Sequence, residues 1–136
     1  MIGLINPVRE RREEPPDPDV RGFLQLCSDR RYHVKVMEAF EDAADIESDQ
    51  YYIEARPGGA PSWSDGTRIG RFAYKHGAGF MGWAAHGDRC LGFRGASNEQ
   101  IRKKLEHIAR KRRDDFPRAR HFVIFGEGGE VELTPL

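Results

Sequence analysis

His86-Gly87-Asp88-Arg89-Cys90 places an imidazole, a carboxylate and a thiol within one turn of chain. Groups so close can meet across the turn and do one of two kinds of chemistry. As ligands, His86 and Cys90 would fill two of the four positions zinc requires, and the rest would have to come from distant chain. As a catalytic pair, Cys90 would be the nucleophile and His86 or His76 its base, provided the surroundings stabilise a thiolate. Neither signature is complete. The histidines, His33, His76, His86, His107 and His121, form no HxH or HxxxH pair, and Cys27 and Cys90 form no CxxC pair. Spacing alone therefore predicts no metal, no cofactor and no catalytic set, and it reads Cys27 and Cys90 as buried reduced thiols.

Phosphate contact is the chemistry offered by Ser97–Arg113, SNEQIRKKLEHIARKRR. Arg102, Lys103, Arg110, Lys111, Arg112 and Arg113 crowd its polar faces, and with Lys104, Arg118 and Arg120 they make nine cations against three acids between residues 102 and 120. The whole chain is balanced, with 22 Lys+Arg and 22 Asp+Glu, so any attraction to an anion is local. All ionisable residues from Glu38 to Glu54 are acidic, which gives either two binding faces or two elements that neutralise each other. The function expected is a small non-enzymatic nucleic-acid-binding module, with Phe80 available to stack on a base. The alternative is a protein-protein interaction or inhibitor protein acting through these charged faces, and a small enzyme with an unrecognised site comes third. The expected partner is accordingly nucleic acid or another protein, and the oligomeric state stays open.

Two motifs bear on this. Gly77-Ala78-Gly79-Phe80-Met81-Gly82 satisfies GxGxxG, but no helix pattern begins at it to hold a pyrophosphate, so hairpin glycines are the better reading. His76–Trp83 resembles the octamer of the RNA recognition motif, with Gly22–Cys27 in the place of its companion hexamer. The resemblance implies Phe23, Phe80 and Trp83 as base platforms; composition prefers them as the aromatic core of a twisted sheet.

The elements that would position these residues follow from periodicity. Ser97 and Gln100 form a capping box, Ile101, Leu105 and Ile108 make one apolar stripe, and Pro117 stops the helix, which predicts a helix over 97–113. Over 30–47, Tyr32, Val34 and Val36 alternate like a strand while Val36, Met37, Phe40 and Ala44 have helical spacing; helix is the reading chosen, with Asp29 as its N-cap and helix formers between. Strands are predicted at Gly22–Cys27, Gln50–Arg56, Ile69–Lys75, Phe80–Ala85, Arg89–Phe93, His121–Phe125 and Glu130–Leu133, with glycines between them serving as hairpin turns. Residues 57–67 read as a loop, and residues 1–19, rich in proline and charge, as a flexible tail. The fold expected over 20–136 is a single α+β domain, an antiparallel sheet of about five or more strands with two helices on one face, ferredoxin-like in outline. No secretory signal or membrane span is evident, which predicts a cytoplasmic protein.

Overall fold

A computed structural model of the chain describes residues 19–63 and 65–136. The tail expected over residues 1–19 lies, up to residue 18, outside the described residues. Eight principal elements follow in order: β1 (Gly22–Leu26), α1 (Arg30–Ala44), β2 (Tyr51–Ala55), α2 (Arg68–Lys75), β3 (Phe80–His86), α3 (Asn98–Asp115), β4 (Arg120–Glu127) and β5 (Glu130–Pro135). The strands form one sheet in the order β2-β1-β3-β4-β5. β1 is parallel to β2 and β3, β3 is parallel to β4, and only β4 and β5 are antiparallel.

The antiparallel, ferredoxin-like expectation is thus corrected to a mostly parallel sheet with helices on both faces. Two strand assignments caused the error. Residues 68–75 are helix α2: the Thr67 hydroxyl accepts from the Gly70 amide as its N-cap, and Gly70 and Ala73 turn inward. Arg89–Phe93 is no strand either, since Leu91–Phe93 makes a short 3-10 turn leading to α3. With a helix in place of the first, β2 and β3 are joined by a crossover, and crossovers link parallel strands.

Every residue of β1 is buried, as a strand covered on both faces must be. Leu24, Leu26, Ala84, Phe122 and Ile124 meet Tyr32, Val36, Phe40 and Ala44 of α1 on one face. Phe23, Met81, Trp83, Val123 and Phe125 meet Ala73 of α2 and Ile101, Leu105, Ile108 and Ala109 of α3 on the other. The capping box of α3 is formed, with Ser97 Oγ accepting from the Gln100 amide and Gln100 Oε1 accepting from the Ser97 amide. Leu105 is fully buried, so Leu105→Ala should cost about 2–5 kcal/mol of stability in a urea titration, and exposed Lys104→Ala less than about 0.5 kcal/mol.

Trp83 and His121 form a paired polar couple inside this core. Trp83 Nε1 donates to His121 Nδ1 at 2.9 Å, and His121 Nε2 donates to the Phe116 carbonyl at 2.9 Å. Burial pushes the His121 pKa down, so the ring stays neutral and keeps the one acceptor that Trp83 needs. At the far end of the sheet, Gly128 and Gly129 turn the β4–β5 hairpin in two residues, both at positive φ (61° and 78°), as a type I′ turn demands. No helix among the described residues is long and apolar enough to cross a membrane.

Candidate metal centre

In an open parallel sheet ligands collect at the carboxyl ends of strands, where neighbouring strands send their connections to opposite faces. β1 and β3 are such a pair: β1 leads into α1 on one face and β3 toward α3 on the other. Because they run parallel with Gln25 opposite Trp83, both chains leave the same edge of the sheet, β3 running on past the end of β1 to His86. Cys27 is the first residue beyond β1, His86 is the last of β3, and Cys90 follows one short loop later. All three are buried, and their ligand atoms lie within 4.8 Å of one another.

The separations fit a zinc ion. Cys27 Sγ and Cys90 Sγ are 3.8 Å apart, and two sulfurs on one tetrahedral zinc with Zn–S of about 2.3 Å stand about 3.8 Å apart. His86 Nδ1 bonds the Gly87 carbonyl at 2.6 Å, which puts the proton on Nδ1 and the lone pair on Nε2. That Nε2, fully enclosed, has no hydrogen bond of acceptable geometry. A carbonyl fixing one ring nitrogen while the other faces two sulfurs is the outer-sphere arrangement of metal-bound imidazoles.

Electrostatics favour the ligand form of Cys27. Burial alone would raise its pKa, but His86 beside it and the amides of Asp29 and Gly58 prevail and bring it down to about 7. Cys90 is pushed up, chiefly by burial and then by the charge of Cys27, although the amides of Gly92 and Gly58 work against this. Two buried thiolates repel, and a divalent cation between them removes the conflict. Burial opposes the charged form of His86, yet Cys27, the Gly87 carbonyl and Asp29 together raise its pKa.

Asp29 stands at the rim of the cluster, its Oδ2 3.5 Å from His86 Nε2. Arg31 holds this carboxylate, with Nη2 at 2.8 Å from Oδ2 and Nε at 3.1 Å from Oδ2 and 3.2 Å from Oδ1. Those bonds, led by Arg31 and opposed by burial, bring the Asp29 pKa down to about 2, so the group is ionised at neutral pH. Loop residues Gly58 and Gly59, both at positive φ, close over the cluster from the β2 side. A Cβ on Gly59 would lie 2.3 Å from the Ala84 carbonyl and 3.1 Å from the Cys27 amide, so only glycine lets the loop come this near.

The structure thus brings to His86 and Cys90 the ligand that short-range spacing could not supply, since Cys27 is 63 residues from Cys90. Asp88, the third group of the turn, stays out of the cluster and bonds Tyr32, Gly128 and Asn98. The sequence reading used Asp29 only as a helix cap, which it is, accepting from the Arg31 amide at 2.9 Å. A cysteine directly after a short, mostly apolar strand was the signal available for Cys27.

The residues assigned to nucleic acid are not brought into one surface. Phe80 lies on the α1 face of the sheet, stacked on Phe122, whereas the basic helix α3 packs on the opposite face. Arg112 is buried and spans Asp115 and the Trp63 carbonyl at 3.0 and 2.5 Å. Arg102 pairs with Glu127 and Glu132 and lies over Phe125. Lys103, Arg110, Lys111 and Arg113 are exposed on α3. Phe23 and Trp83, the other platforms implied by the RNA-recognition resemblance, are fully enclosed. Nor do the acidic and basic elements neutralise each other, for α1 and α3 are separated by the sheet.

No protein-family model matches the chain, and no curated protein does. Among solved structures, a carbonic anhydrase from Streptococcus mutans has a similar fold, with a TM-score of 0.50, 14% identity, and 98% of each chain covered. The β-carbonic anhydrase isoform I of the protozoan Trichomonas vaginalis superposes with a TM-score of 0.44 at 14% identity, covering 96% of this chain and 91% of that one. The expectation of a nucleic-acid-binding module, and the interaction-protein alternative beside it, give way here: the chain shares the fold of the Streptococcus mutans carbonic anhydrase, and the residues assigned to nucleic acid do not assemble into one surface.

Proposed function

We propose that Cys27, His86 and Cys90 hold a zinc ion and that the chain hydrates carbon dioxide to bicarbonate, the activity named for the Streptococcus mutans protein of similar fold. The observation that carries this reading is the buried Cys27–His86–Cys90 cluster, with its sulfurs 3.8 Å apart at the carboxyl ends of β1 and β3. The proposal replaces the expectation of a chain without metal or cofactor.

Three protein donors with a fourth position left over are the pattern of catalytic rather than structural zinc sites. A zinc ion held by these residues would supply a nucleophile at neutral pH by acidifying water. The chain's own residues do the rest. The Gly87 carbonyl sets the His86 tautomer, and the Gly58, Gly92 and Asp29 amides stabilise charge on the sulfurs. Asp29 remains ionised under Arg31 and, with its Oδ2 3.5 Å from His86 Nε2, offers a hydrogen-bond acceptor beside the cluster.

Elemental analysis of the purified protein, with stopped-flow indicator assays of carbon dioxide hydration, tests both halves. We expect about one zinc per chain, and hydration that disappears on chelation and returns with added zinc. Zinc without hydration would overturn the reaction. Absence of zinc from protein prepared with the metal supplied would overturn the metal centre itself.

A further inference from the structure

Between His86 and Cys90 the chain passes through Asp88 and Arg89, both left-handed, at φ 57° and 63°. Two successive side-chain-bearing residues in that region are disfavoured and persist only where their surroundings hold them. Asp88 is the point at which they are held. Its Oδ2 accepts from the Tyr32 hydroxyl and, at 2.7 Å, from the Gly128 amide. Its Oδ1 accepts from Asn98 Nδ2 at 3.2 Å, and its amide donates to Asn98 Oδ1 at 2.7 Å. Its carbonyl accepts from Arg31 Nη1 at 3.0 Å. These partners come from α1, from the start of α3 and from the β4–β5 turn, so one residue ties three elements to the loop between the two ligands.

Tyr32 carries the restraint to a ligand. Its ring stacks on His86, with centroids 4.9 Å apart and planes 22° from parallel. The hydroxyl end is fixed by Asp88 and by the Gly129 amide at 3.0 Å. The opposite side is closed by the backbone of Gly126, where a Cβ would stand 2.4 Å from the ring. The imidazole therefore has its Nδ1 held by the Gly87 carbonyl and its face against a ring whose hydroxyl is bonded to Asp88.

We propose that Asp88, acting through Tyr32, is the positioning residue of the metal centre: it sets the plane of His86 and the reach from His86 to Cys90, with the β4–β5 turn as the centre's outer wall. This rests on the zinc reading above. A carboxylate suits the role because it accepts from three side-chain and amide donors at once, and an alanine would leave the Tyr32 hydroxyl and the Gly128 amide without this acceptor, while Asn98 would keep only its bond to Glu127.

The test compares zinc affinity, measured by chelator competition, with the visible absorption of the cobalt(II)-substituted protein, in wild type, Asp88→Ala, Tyr32→Phe and Ile46→Ala. Ile46 is a packing control buried at the opposite end of the sheet, against Gly22. Asp88→Ala and Tyr32→Phe should weaken zinc binding by about 10–100-fold, the range of outer-sphere partners, and change the cobalt spectrum. Ile46→Ala should lower stability and leave both readouts unchanged. Wild-type affinity and spectrum in Tyr32→Phe would overturn the proposal, even if Asp88→Ala failed to fold. Equal weakening in Ile46→Ala would also overturn it, by reducing the effect to general destabilisation. A wild-type protein that took up neither metal would bring down the zinc reading and this inference together. Wild-type uptake with indifferent variants would sink this inference alone.

Discussion

Cys90→Ser should leave a folded protein that holds zinc more than about 100-fold more weakly, beyond what outer-sphere partners contribute, and that has lost hydration activity. The substitution is nearly isosteric, and Cys90 is packed in the α2/α3 core rather than bonded through its backbone to a distant element. What changes is the donor. A thiol gives up its proton to a nearby cation readily, and an alcohol does not, so serine offers zinc a neutral, hard oxygen in place of a soft anion. Two protein ligands then remain, and they no longer enclose the ion. Dialysis against a chelator followed by elemental analysis reads the metal, and circular dichroism confirms the fold. Lys111→Ala, at an exposed position of α3, should leave zinc and activity at wild-type values. Retention of zinc by Cys90→Ser would mean that the cluster is a pair of packed thiols and nothing more.

Gly59→Ala should be the most damaging single methyl group near the site, costing about 2–5 kcal/mol from overpacking and left-handed strain together. The added carbon would meet the carbonyl of Ala84, in the middle of the sheet's central strand, at 2.3 Å, and no rotamer change relieves a backbone clash. At φ 66° and ψ −153° Gly59 also lies where essentially only glycine goes, which adds more than the ordinary left-handed penalty. Gly66 and Gly95 provide the comparison, for they also have positive φ (113° and 79°) but nothing within 4 Å of an added Cβ. Alanine at either should cost only the conformational share, about 1–2 kcal/mol. Guanidinium titrations of the three variants separate the two contributions. Equal losses at all three would show that the loop over Cys27 is not packed as described. Zinc affinity should also fall in Gly59→Ala alone, because moving the loop withdraws the Gly58 amide from both sulfurs.

How much of this was legible in the chain depends on the range of the interactions involved. Helix α3 was legible because its signals are local: a capping box four residues long and a stripe repeating within two turns. Helix α1 was less legible, since Tyr32, Val34 and Val36 alternate like a strand while Val36, Met37, Phe40 and Ala44 keep helical spacing, and only the Asp29 cap and the helix formers between them tipped the reading to helix. Residues 68–75 were misread because a short helix carries few periods, and Ile69, Phe72 and Ala73 also fit a strand beside glycines; the Thr67 cap was the evidence for helix. That misreading, together with the strand placed at Arg89–Phe93, turned parallel crossovers into an antiparallel meander. The metal centre was hidden with it, because adjacent antiparallel strands end at opposite edges of a sheet, whereas adjacent parallel strands end together. The sequence by itself determined which residues could be ligands, His86 and Cys90 in one short turn, and which segments could be helices. Only the tertiary structure decided that Cys27, 63 residues before Cys90, completes the set, because strand pairing direction is settled by burial of both sheet faces, a property that no single segment of the chain contains.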